Sequence, residues 1–417
     1  MKRYRFPVAF LCATASAGYL SRVNVSIVAP LLISRFGFTE VEIGSLFSAF
    51  LAGYAMFQAL GGWIADRHGP PRTLMASSFL WTVLTLLFLS IGWMSVASTW
   101  ALTLGMVLRF LLGIAQAPLF PASAAAVSGW VPPHMQARCN AVVLAGVSIG
   151  SAAAPMLISP VMTRFGWQAG MLISILPAWI VFLVWRKTAP SWDPVLRRTD
   201  RPEQQTPAPA ASFLRSASFW MLTFSYSLQG YVGYIFVFWF YLYLVRVRHF
   251  SLLEGAFFSS LPWALSMISI PLGGWLSDLL IHTRLGRQWG RRAVPVFGLA
   301  GAGITLALGA GTGSPYAAAF YLALSTSLVL CVEGPFWAAV TEIGRAHPGA
   351  GGGIMNTGCN LGGFLSPLLT PWLAERIGWE GALYLAAVLS LIAAAAWCRI
   401  WLPEAKPGCD SDTPCGT

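Results

Sequence analysis

The sequence predicts an all-α membrane protein with twelve transmembrane helices, arranged as two pseudo-symmetric halves of six. Three observations support this prediction: an apolar composition, twelve apolar runs of spanning length, and an internal repeat. Of the 417 residues, 56% are hydrophobic and 10% are charged, whereas soluble domains carry about 25% charged residues. Such a chain cannot hide its apolar side chains in a single soluble core, so we expect the bilayer to be its solvent.

Twelve segments are long and apolar enough to cross a bilayer, which takes about 20 helical residues. They are residues 7–31, 42–64, 73–93, 99–121, 139–162, 168–186, 219–244, 252–277, 293–312, 315–341, 352–373 and 379–401. The first segment is too long for a cleaved signal peptide. It is therefore counted as a transmembrane helix.

A proline-rich, charged stretch divides the twelve segments into six and six. Its composition is typical of a flexible linker. We therefore predict a first six-helix bundle over residues 1–186, a cytoplasmic linker over 187–216 and a second bundle over 217–405. The polar residues 406–417 are predicted to form a disordered cytoplasmic tail.

The two halves resemble each other in sequence. The run Gly61–Asp66 reappears as Gly273–Asp278, at an offset of 278 − 66 = 212 residues. Four identities in this run share their offset with five further pairs: Gly146 and Gly358, Gly150 and Gly362, Pro155 and Pro367, Gly166 and Gly378, Trp167 and Trp379. Nine identities at one offset indicate a duplication. Parallel repeats of six helices place a substrate site at their interface, near the bilayer midplane.

The basic residues predict the orientation of the chain. With the N-terminus inside, the outside loops hold five arginines: Arg35, Arg164, Arg246, Arg248 and Arg376. Two more arginines lie within spans, so the other 26 − 5 − 2 = 19 Lys and Arg are cytoplasmic. The positive-inside rule then puts both termini in the cytoplasm, and we expect a bacterial inner-membrane protein. This distribution explains the net charge of +11 without nucleic-acid binding.

Three charged residues lie well inside the predicted spans: Arg22 in the first, Arg109 in the fourth and Glu333 in the tenth. Each costs about 3 kcal/mol or more at the bilayer centre, so by default each faces a cavity and has a function. Two arginines against one glutamate favour an anion, and a guanidinium fork fits a carboxylate. The alternative is a structural pair between arginine and glutamate. Glu333 is also a candidate proton carrier, or else the partner of a backbone or hydroxyl group.

A glycine-rich turn with charges follows the second span and resembles the signature of the major facilitator superfamily. Its members are Gly61, Gly62, Asp66, Arg67 and Arg72. We predict a gating role in which Asp66 contacts a helix N-terminus or a basic residue of the other half. Asp278 takes the same place in the second half, before a longer loop. The alternative for both is a plain charged loop at the membrane edge.

Two pairs of glycines spaced four apart form small-residue helix faces: Gly146 with Gly150, and Gly358 with Gly362. Small residues allow helix backbones to approach closely. Two interpretations stay open, a sliding contact between the halves and static packing.

Several runs resemble the anion:cation symporters, a family within that superfamily. They are the run from Tyr19 to Asn24, the run from Ser48 to Tyr54, the run from Leu108 to Pro118 and the run from Asn360 to Gly363. The family includes bacterial carriers of sugar acids and vesicular carriers of glutamate and sialic acid. The resemblance covers all twelve predicted helices, and its motifs are not specific to one substrate.

The resemblance implies that Arg22, Tyr54, Arg109 and Asn360 line an anion site, with Asn356 as a further member. Gln116 and Tyr234 are added as candidate substrate-binding residues. The chain departs from the family's pattern at two places, Ser21 and Gln116, where proton-coupled members usually carry acidic residues. Coupling has either moved to Glu333 or is absent.

These features predict a secondary transporter of a small organic anion, a carboxylate such as a sugar acid, that works by alternating access and proton symport. The alternatives are an exchanger or facilitator without proton coupling, and a membrane sensor that binds an anion without moving it. No catalytic motif is present, so we expect no enzyme activity. The seven cysteines and five histidines lack metal-ligand spacing. We therefore expect no metal or cofactor, and a monomer as the working unit.

Overall fold

A computed structural model describes residues 2–93, 99–131, 133–196, 211–344 and 348–402. Its helices, in chain order, are α1 Lys2–Phe36, α2 Glu40–His68, α3 Pro70–Phe88, α4 Thr99–Gln116, α5 Leu119–Trp130, α6 Pro133–Phe165, α7 Trp167–Leu196, α8 Ala211–Leu214, α9 Ala217–Phe238, α10 Phe240–Arg246, α11 Leu252–Leu280, α12 Gly286–Gly311, α13 Pro315–Cys331, α14 Glu333–Ile343 and α15 Pro348–Cys398. A 3₁₀ turn, Leu89–Trp93, extends α3. Within these ranges the structure contains no strand.

The helices account for the predicted twelve crossings. Ten continuous helical segments are long and apolar enough to cross a membrane, and α9 with α10 forms an eleventh that bends by 52°. The last segment, Gly351–Cys398, has 48 residues and would be about 72 Å long if straight, more than twice the thickness of a bilayer core. Its backbone is non-helical at Gly378, so it is two crossings. The count is then 10 + 1 + 1 = 12, and the predicted fold class is confirmed.

Positive backbone angles at two equivalent glycines make the same corner in each half. Gly166 has φ 85° between α6 and α7, and Gly378 has φ 75° inside α15. L-residues other than glycine rarely adopt this region. Each glycine precedes a tryptophan, Trp167 and Trp379. The repeat found in the sequence is therefore also a repeat of backbone conformation.

The glycine pairs spaced four apart pack helices within each half. A Cβ on Gly150 would overlap the carbonyl oxygen of Ser16 in α1, and a Cβ on Gly362 would overlap that of Ser227 in α9. The sliding-contact interpretation is therefore wrong for these faces, because both partners belong to the same half as the glycine. The packing is similar in the two halves, because the two partner residues are 227 − 16 = 211 positions apart, one fewer than the repeat offset of 212.

The glycine-rich segments that were predicted as turns lie inside helices: Gly61 is in α2 and Gly273 is in α11. A Cβ on Gly61 would lie 2.8 Å from both the N and Cα atoms of Pro118, between α4 and α5. A Cβ on Gly273 would overlap the carbonyl oxygen of Cys331, where α13 ends before α14. Each glycine-rich segment therefore packs against the break in a neighbouring span.

The two halves contact each other along α6 and α11, where Ser148 Oγ and Ser266 Oγ are 2.8 Å apart, and at one end of the molecule, which we call the closed end. There Ser48 Oγ donates to the carbonyl of Phe364 at 2.8 Å, and Trp379 Nε1 donates to Glu40 Oε2 at 3.1 Å. Ser159 Oγ lies 3.1 Å from the Tyr241 hydroxyl. Trp379, just after the break at Gly378 in α15, thus contacts the start of α2, whereas Phe364 lies before that break. Ser159, near the end of α6, contacts α10. Under the predicted orientation the closed end faces outward.

Trp379→Phe is expected to open the closed end more readily, because an aromatic ring remains but the N–H donor to Glu40 is lost. A single hydrogen bond contributes about 0.5–1.5 kcal/mol, so we expect a two- to tenfold shift in the balance between conformations. The measurement is the labelling rate of Ser159→Cys by an impermeant maleimide. Trp100→Phe, an exposed tryptophan at the start of α4, is the matched control. Equal labelling rates in both variants would show that this hydrogen bond does not stabilise the closed end.

The predicted linker and tail fall largely outside the described ranges. Helix α7 continues to Leu196, ten residues beyond the predicted end of the first bundle. Residues 197–210 and 403–417 are not among those described. The linker and the tail therefore stay predictions.

Candidate functional site

Arg22 is held in an aromatic cage inside the first half. The side chain belongs to α1 and is 2% exposed. Its guanidinium carbon lies 4.3, 4.6 and 4.9 Å from the ring centres of Tyr54, Tyr19 and Phe50. Nη1 donates to the Tyr19 hydroxyl at 2.9 Å, and Nε has no hydrogen-bond partner among the described residues. Aromatic faces stabilise a cation without neutralising it, so the positive charge stays available.

Arg109 from α4 lies beside this cage. It is 1% exposed, and its guanidinium carbon is 4.8 Å from the centre of the same Phe50 ring. Nη2 donates to the backbone carbonyl of Arg22 at 2.9 Å. Nε and Nη1 have no partner within the described ranges. Two buried cations therefore share one ring and hold three unpartnered N–H positions between them, an arrangement that an anion would satisfy.

A close contact between α2 and α4, made at one glycine of each helix, positions the residues of the cage. A Cβ on Gly53 of α2 would overlap the carbonyl oxygen of Phe110, and a Cβ on Gly113 of α4 would overlap that of Phe50. The backbones of α2 and α4 therefore approach more closely than side chains allow. This approach brings Phe50 of α2 next to Arg109 of α4.

The second half contributes a polar cluster around Glu333, the first residue of α14. The Tyr226 hydroxyl donates to Glu333 Oε2 at 2.8 Å, and Gln229 Nε2 donates to Glu333 Oε1 at 3.0 Å. Both donors come from α9. Cys359 of α15 completes the cluster, with its thiol 4.0 Å from Gln229 Oε1. Both carboxylate oxygens therefore have a hydrogen-bond partner on α9.

Helices α9 and α15 link the Glu333 cluster to the helix that carries the cage. The Cys359 thiol of α15 lies beside Gln229, and a Cβ on Gly363 of the same helix would lie 2.5 Å from the Tyr234 ring. Tyr234 stacks on Phe238, which stacks on Phe47 of α2 with ring centres 4.7 Å apart. The Glu333 cluster and the arginine cage therefore belong to opposite halves that are packed together through α2, α9 and α15. Among the described residues, the ion pairs involve Arg287, Arg291, Asp278 and Glu342, so Glu333 does not neutralise either site arginine.

The other predicted site residues differ in burial and in whether their polar groups already have hydrogen-bond partners. Tyr234 of α9 stacks on Phe238 with ring centres 5.7 Å apart. Asn360 is 7% exposed and Asn356 is half-buried, one turn apart on α15. Gln116 is 1% exposed, and its Nε2 donates to the backbone carbonyl of Gly18 at 3.0 Å. The amide of Gln116 therefore already joins α4 to α1.

Comparison with known proteins identifies the family. The sequence matches the Major Facilitator Superfamily over residues 10–367 and, in a second overlapping match, over residues 283–414. The chain belongs to this superfamily. Solved structures agree: a bacterial homologue of the human lysosomal transporter Spinster, in an inward-facing and occupied conformation, superposes with a TM-score of 0.75 at 17% identity, over 95% of this chain and 97% of that one.

Curated relatives within the superfamily are named for anionic substrates. A probable sulfoacetate transporter of Cupriavidus necator is 28% identical over 380 residues, 88% of this chain and 86% of that protein. A hexuronate transporter of Bacillus subtilis is 25% identical over 421 residues, 98% and 97% of the two chains. A D-galactonate transporter of Escherichia coli is 26% identical over 408 residues, 91% of each. The resemblance to bacterial sugar-acid and organic-anion transporters is confirmed, and so is the prediction of a transporter instead of an enzyme.

The superfamily's glycine-rich turns carry exposed charges. Asp66, Arg67 and Arg72 are exposed, and the Arg67 guanidinium lies 5.3 Å from the ring centre of Trp63. They lie at the opposite end of α2 from the closed end. Their gating role stays a prediction.

The second-half turn has partners within its own half. Asp278 of α11 contacts Arg291 of α12. Arg291 Nε lies 3.0 Å from Glu342 Oε1, and Arg287 Nη2 lies 2.9 Å from Glu342 Oε2. This network ties α11, α12 and α14 together at the end opposite the closed end. A gating change at Asp278 would therefore act through the packing of these three helices.

Four residues of the site were not selected from the sequence: Phe50, Tyr226, Gln229 and Cys359. Gln229 had a usable signal, because a polar amide within an apolar span usually has a partner. Phe50 and Tyr226 had none, since aromatic residues make up 13% of the chain. The role of Cys359 depends on contacts between helices that no local pattern reports.

Proposed function

We propose that this chain is a secondary active transporter that carries a small organic anion, a carboxylate such as a sugar acid, by alternating access. The observation that best supports this proposal is the pair of buried guanidiniums at Phe50 with unpartnered N–H groups. A carboxylate can accept charge-assisted hydrogen bonds from such groups. Relatives named for hexuronate, galactonate and sulfoacetate support the same chemical class.

The proposal includes a place for the protein in the cell. Nineteen of 26 Lys and Arg lie on one side under the predicted topology, which supports a bacterial inner membrane with both termini in the cytoplasm. One chain contains both halves of the fold, so a monomer suffices for alternating access. Uptake of a radiolabelled acid into liposomes that contain only this protein tests the proposal. Binding without accumulation would favour the sensor alternative.

Glu333 is the proposed proton carrier. It belongs to the half opposite the arginine cage, and Tyr226 and Gln229 hold its carboxylate in place. A proton from the outer solution would form an O–H bond on this carboxylate and leave it on the cytoplasmic side. The Tyr226 hydroxyl can then accept a hydrogen bond in place of donating one, so both protonation states have partners.

Glu333→Gln is expected to abolish the accumulation of substrate driven by a proton gradient, because an amide cannot take up and release the proton. Exchange of labelled for unlabelled substrate should continue. The measurement is uptake into liposomes that are more alkaline inside than outside. Glu375→Gln, a change of an exposed glutamate on α15, is the matched control. Full gradient-driven accumulation by the Glu333 variant would rule out this residue as the carrier.

Exchange without proton coupling is the second candidate mechanism. It is supported by Ser21 and Gln116, which stand where proton-coupled members of the anion:cation symporters usually carry acidic residues. Ser21 Oγ donates to the carbonyl of Ala17 at 3.0 Å, and Gln116 donates to Gly18. Neither side chain ionises. An exchanger would show rapid counterflow and no response to a pH gradient in the unmodified protein.

A further inference from the structure

The charged side chains of the site are two arginines and one glutamate. Arg22 and Arg109 contribute two positive charges, and both are at most 2% exposed. Glu333 contributes one negative charge when both of its oxygens accept hydrogen bonds, as they do from Tyr226 and Gln229. The net charge of the empty site is therefore +2 − 1 = +1. Burial of an uncompensated charge is costly, so the site favours a cargo whose total charge is −1.

A cargo of total charge −1 has two chemical forms. A monoanion by itself brings the net charge of the site to zero. A dianion does so only together with one proton, since otherwise the closed site would hold a net charge of −1. The proton must then bind a group that belongs to the site.

Glu333 is the group in the site that can take this proton. The groups that face it are Tyr226 and Gln229 from α9, Trp337 from its own helix and Cys359 from α15. Amides and indoles do not titrate, and phenols and thiols ordinarily lose their protons only above about pH 8. The more distant Glu342 is paired with Arg287 and Arg291. Glu333 is therefore the carboxylate that this proton binds.

We propose that Glu333 makes proton coupling depend on the charge of the cargo: a dianion is carried together with one proton bound to Glu333, and a monoanion is carried without it. This inference rests on the proposed transport of organic anions and adds which substrates use the proton. It differs from a fixed symport, in which every substrate brings a proton. It also gives Glu333 a role in specificity, because a carboxylate that stays ionised repels the second negative group of a dianion.

A matched pair of acids tests the proposal. Galactonate and galactarate share a six-carbon hydroxylated chain and differ at C6, where galactonate has an alcohol and galactarate a second carboxylate. Both are fully ionised above about pH 6. The full-length protein is reconstituted in liposomes, the membrane potential is clamped at zero with a potassium ionophore, and the lumen is made one pH unit more alkaline than the medium. Uptake of each labelled acid is followed to its plateau.

For galactarate we expect accumulation of about tenfold, the ratio set by one proton and one pH unit, and for galactonate no accumulation above equilibration. Glu333→Gln should equilibrate galactarate without accumulating it, and its affinity for galactarate should no longer vary with pH. Glu333→Asp keeps a carboxylate and should restore part of the accumulation, which separates the charge of this residue from its packing.

Two results would overturn the inference while leaving anion transport in place. One is equal gradient-driven accumulation of both acids by the unmodified protein. The other is gradient-driven accumulation of galactarate by Glu333→Gln. If neither acid binds or enters, the proposed function fails, and this inference fails with it.

Discussion

Arg22→Ala is expected to weaken the binding of organic acids by about 30- to 1,000-fold. The guanidinium is buried among Tyr19, Phe50 and Tyr54, so water cannot replace it easily as a partner for a carboxylate. Loss of one member of a buried, hydrogen-bonded charge pair costs about 2–4 kcal/mol, and every 1.4 kcal/mol is tenfold in affinity. The measurement is the thermal stabilisation of purified protein across a panel of sugar acids, aromatic acids and dicarboxylates.

Two further variants separate the charge of Arg22 from its shape. Arg22→Lys keeps the charge but loses the planar fork, so we expect an intermediate affinity, about tenfold weaker than that of the unmodified protein. Arg164→Ala removes an exposed arginine at the end of α6 and should change nothing. Stabilisation by an acid that survives in Arg22→Ala would place the anion elsewhere. The search would then move to zwitterionic and neutral solutes.

Gly273→Ala is expected to destabilise the protein strongly, whereas Gly274→Ala, one residue further along α11, should be neutral or slightly stabilising. A Cβ at Gly273 would lie 2.7 Å from the carbonyl carbon of Cys331 and overlap its oxygen. Cys331 is the last residue of α13, so the backbone of a spanning helix would have to move. A Cβ at Gly274 would have no heavy atom within 4 Å, apart from its chain neighbours and the nearby backbone of α11 itself.

The expected sizes follow from packing and helix propensity. Overpacking against backbone costs about 1–3 kcal/mol or more, and alanine is favoured over glycine in a helix by up to about 1 kcal/mol. Melting of the two variants in detergent, followed by intrinsic fluorescence, measures the difference. Similar melting temperatures would mean that α11 and α13 are not in close contact at this position.

The charges of the site could be predicted from the sequence, but their partners could not. Arg22, Arg109 and Glu333 were found because an ionised group in an apolar run is a local signal with a large energetic cost. The Phe50 ring that both arginines share, and the Tyr226 hydroxyl on Glu333, depend on how α1, α2, α4 and α9 are packed. One apolar span gives no information about which of its faces meets which neighbour.

The glycines also show that the sequence does not identify which helices meet. A small-residue face predicts a close approach of helices, and this was found at Gly150 and Gly362. It does not name the helix that approaches, so the choice between packing within a half and sliding between halves needed the structure. The breaks in the spans, by contrast, do have a local signal. Pro118 lies at the break after α4, and Gly334 and Pro335 lie just after the break at Val332.

The sharing of Phe50 by Arg22 and Arg109 affects how the transporter resets. An unloaded carrier keeps two like charges close together inside an apolar bundle, with no acidic group at ion-pair distance among the described residues. To complete net transport, the empty carrier must close around these charges and reopen on the other side of the membrane. A loaded carrier passes through the same occluded state with its charge reduced. We therefore expect the empty return to be the slower half of the cycle, and solute on the far side to accelerate turnover because the site then returns occupied.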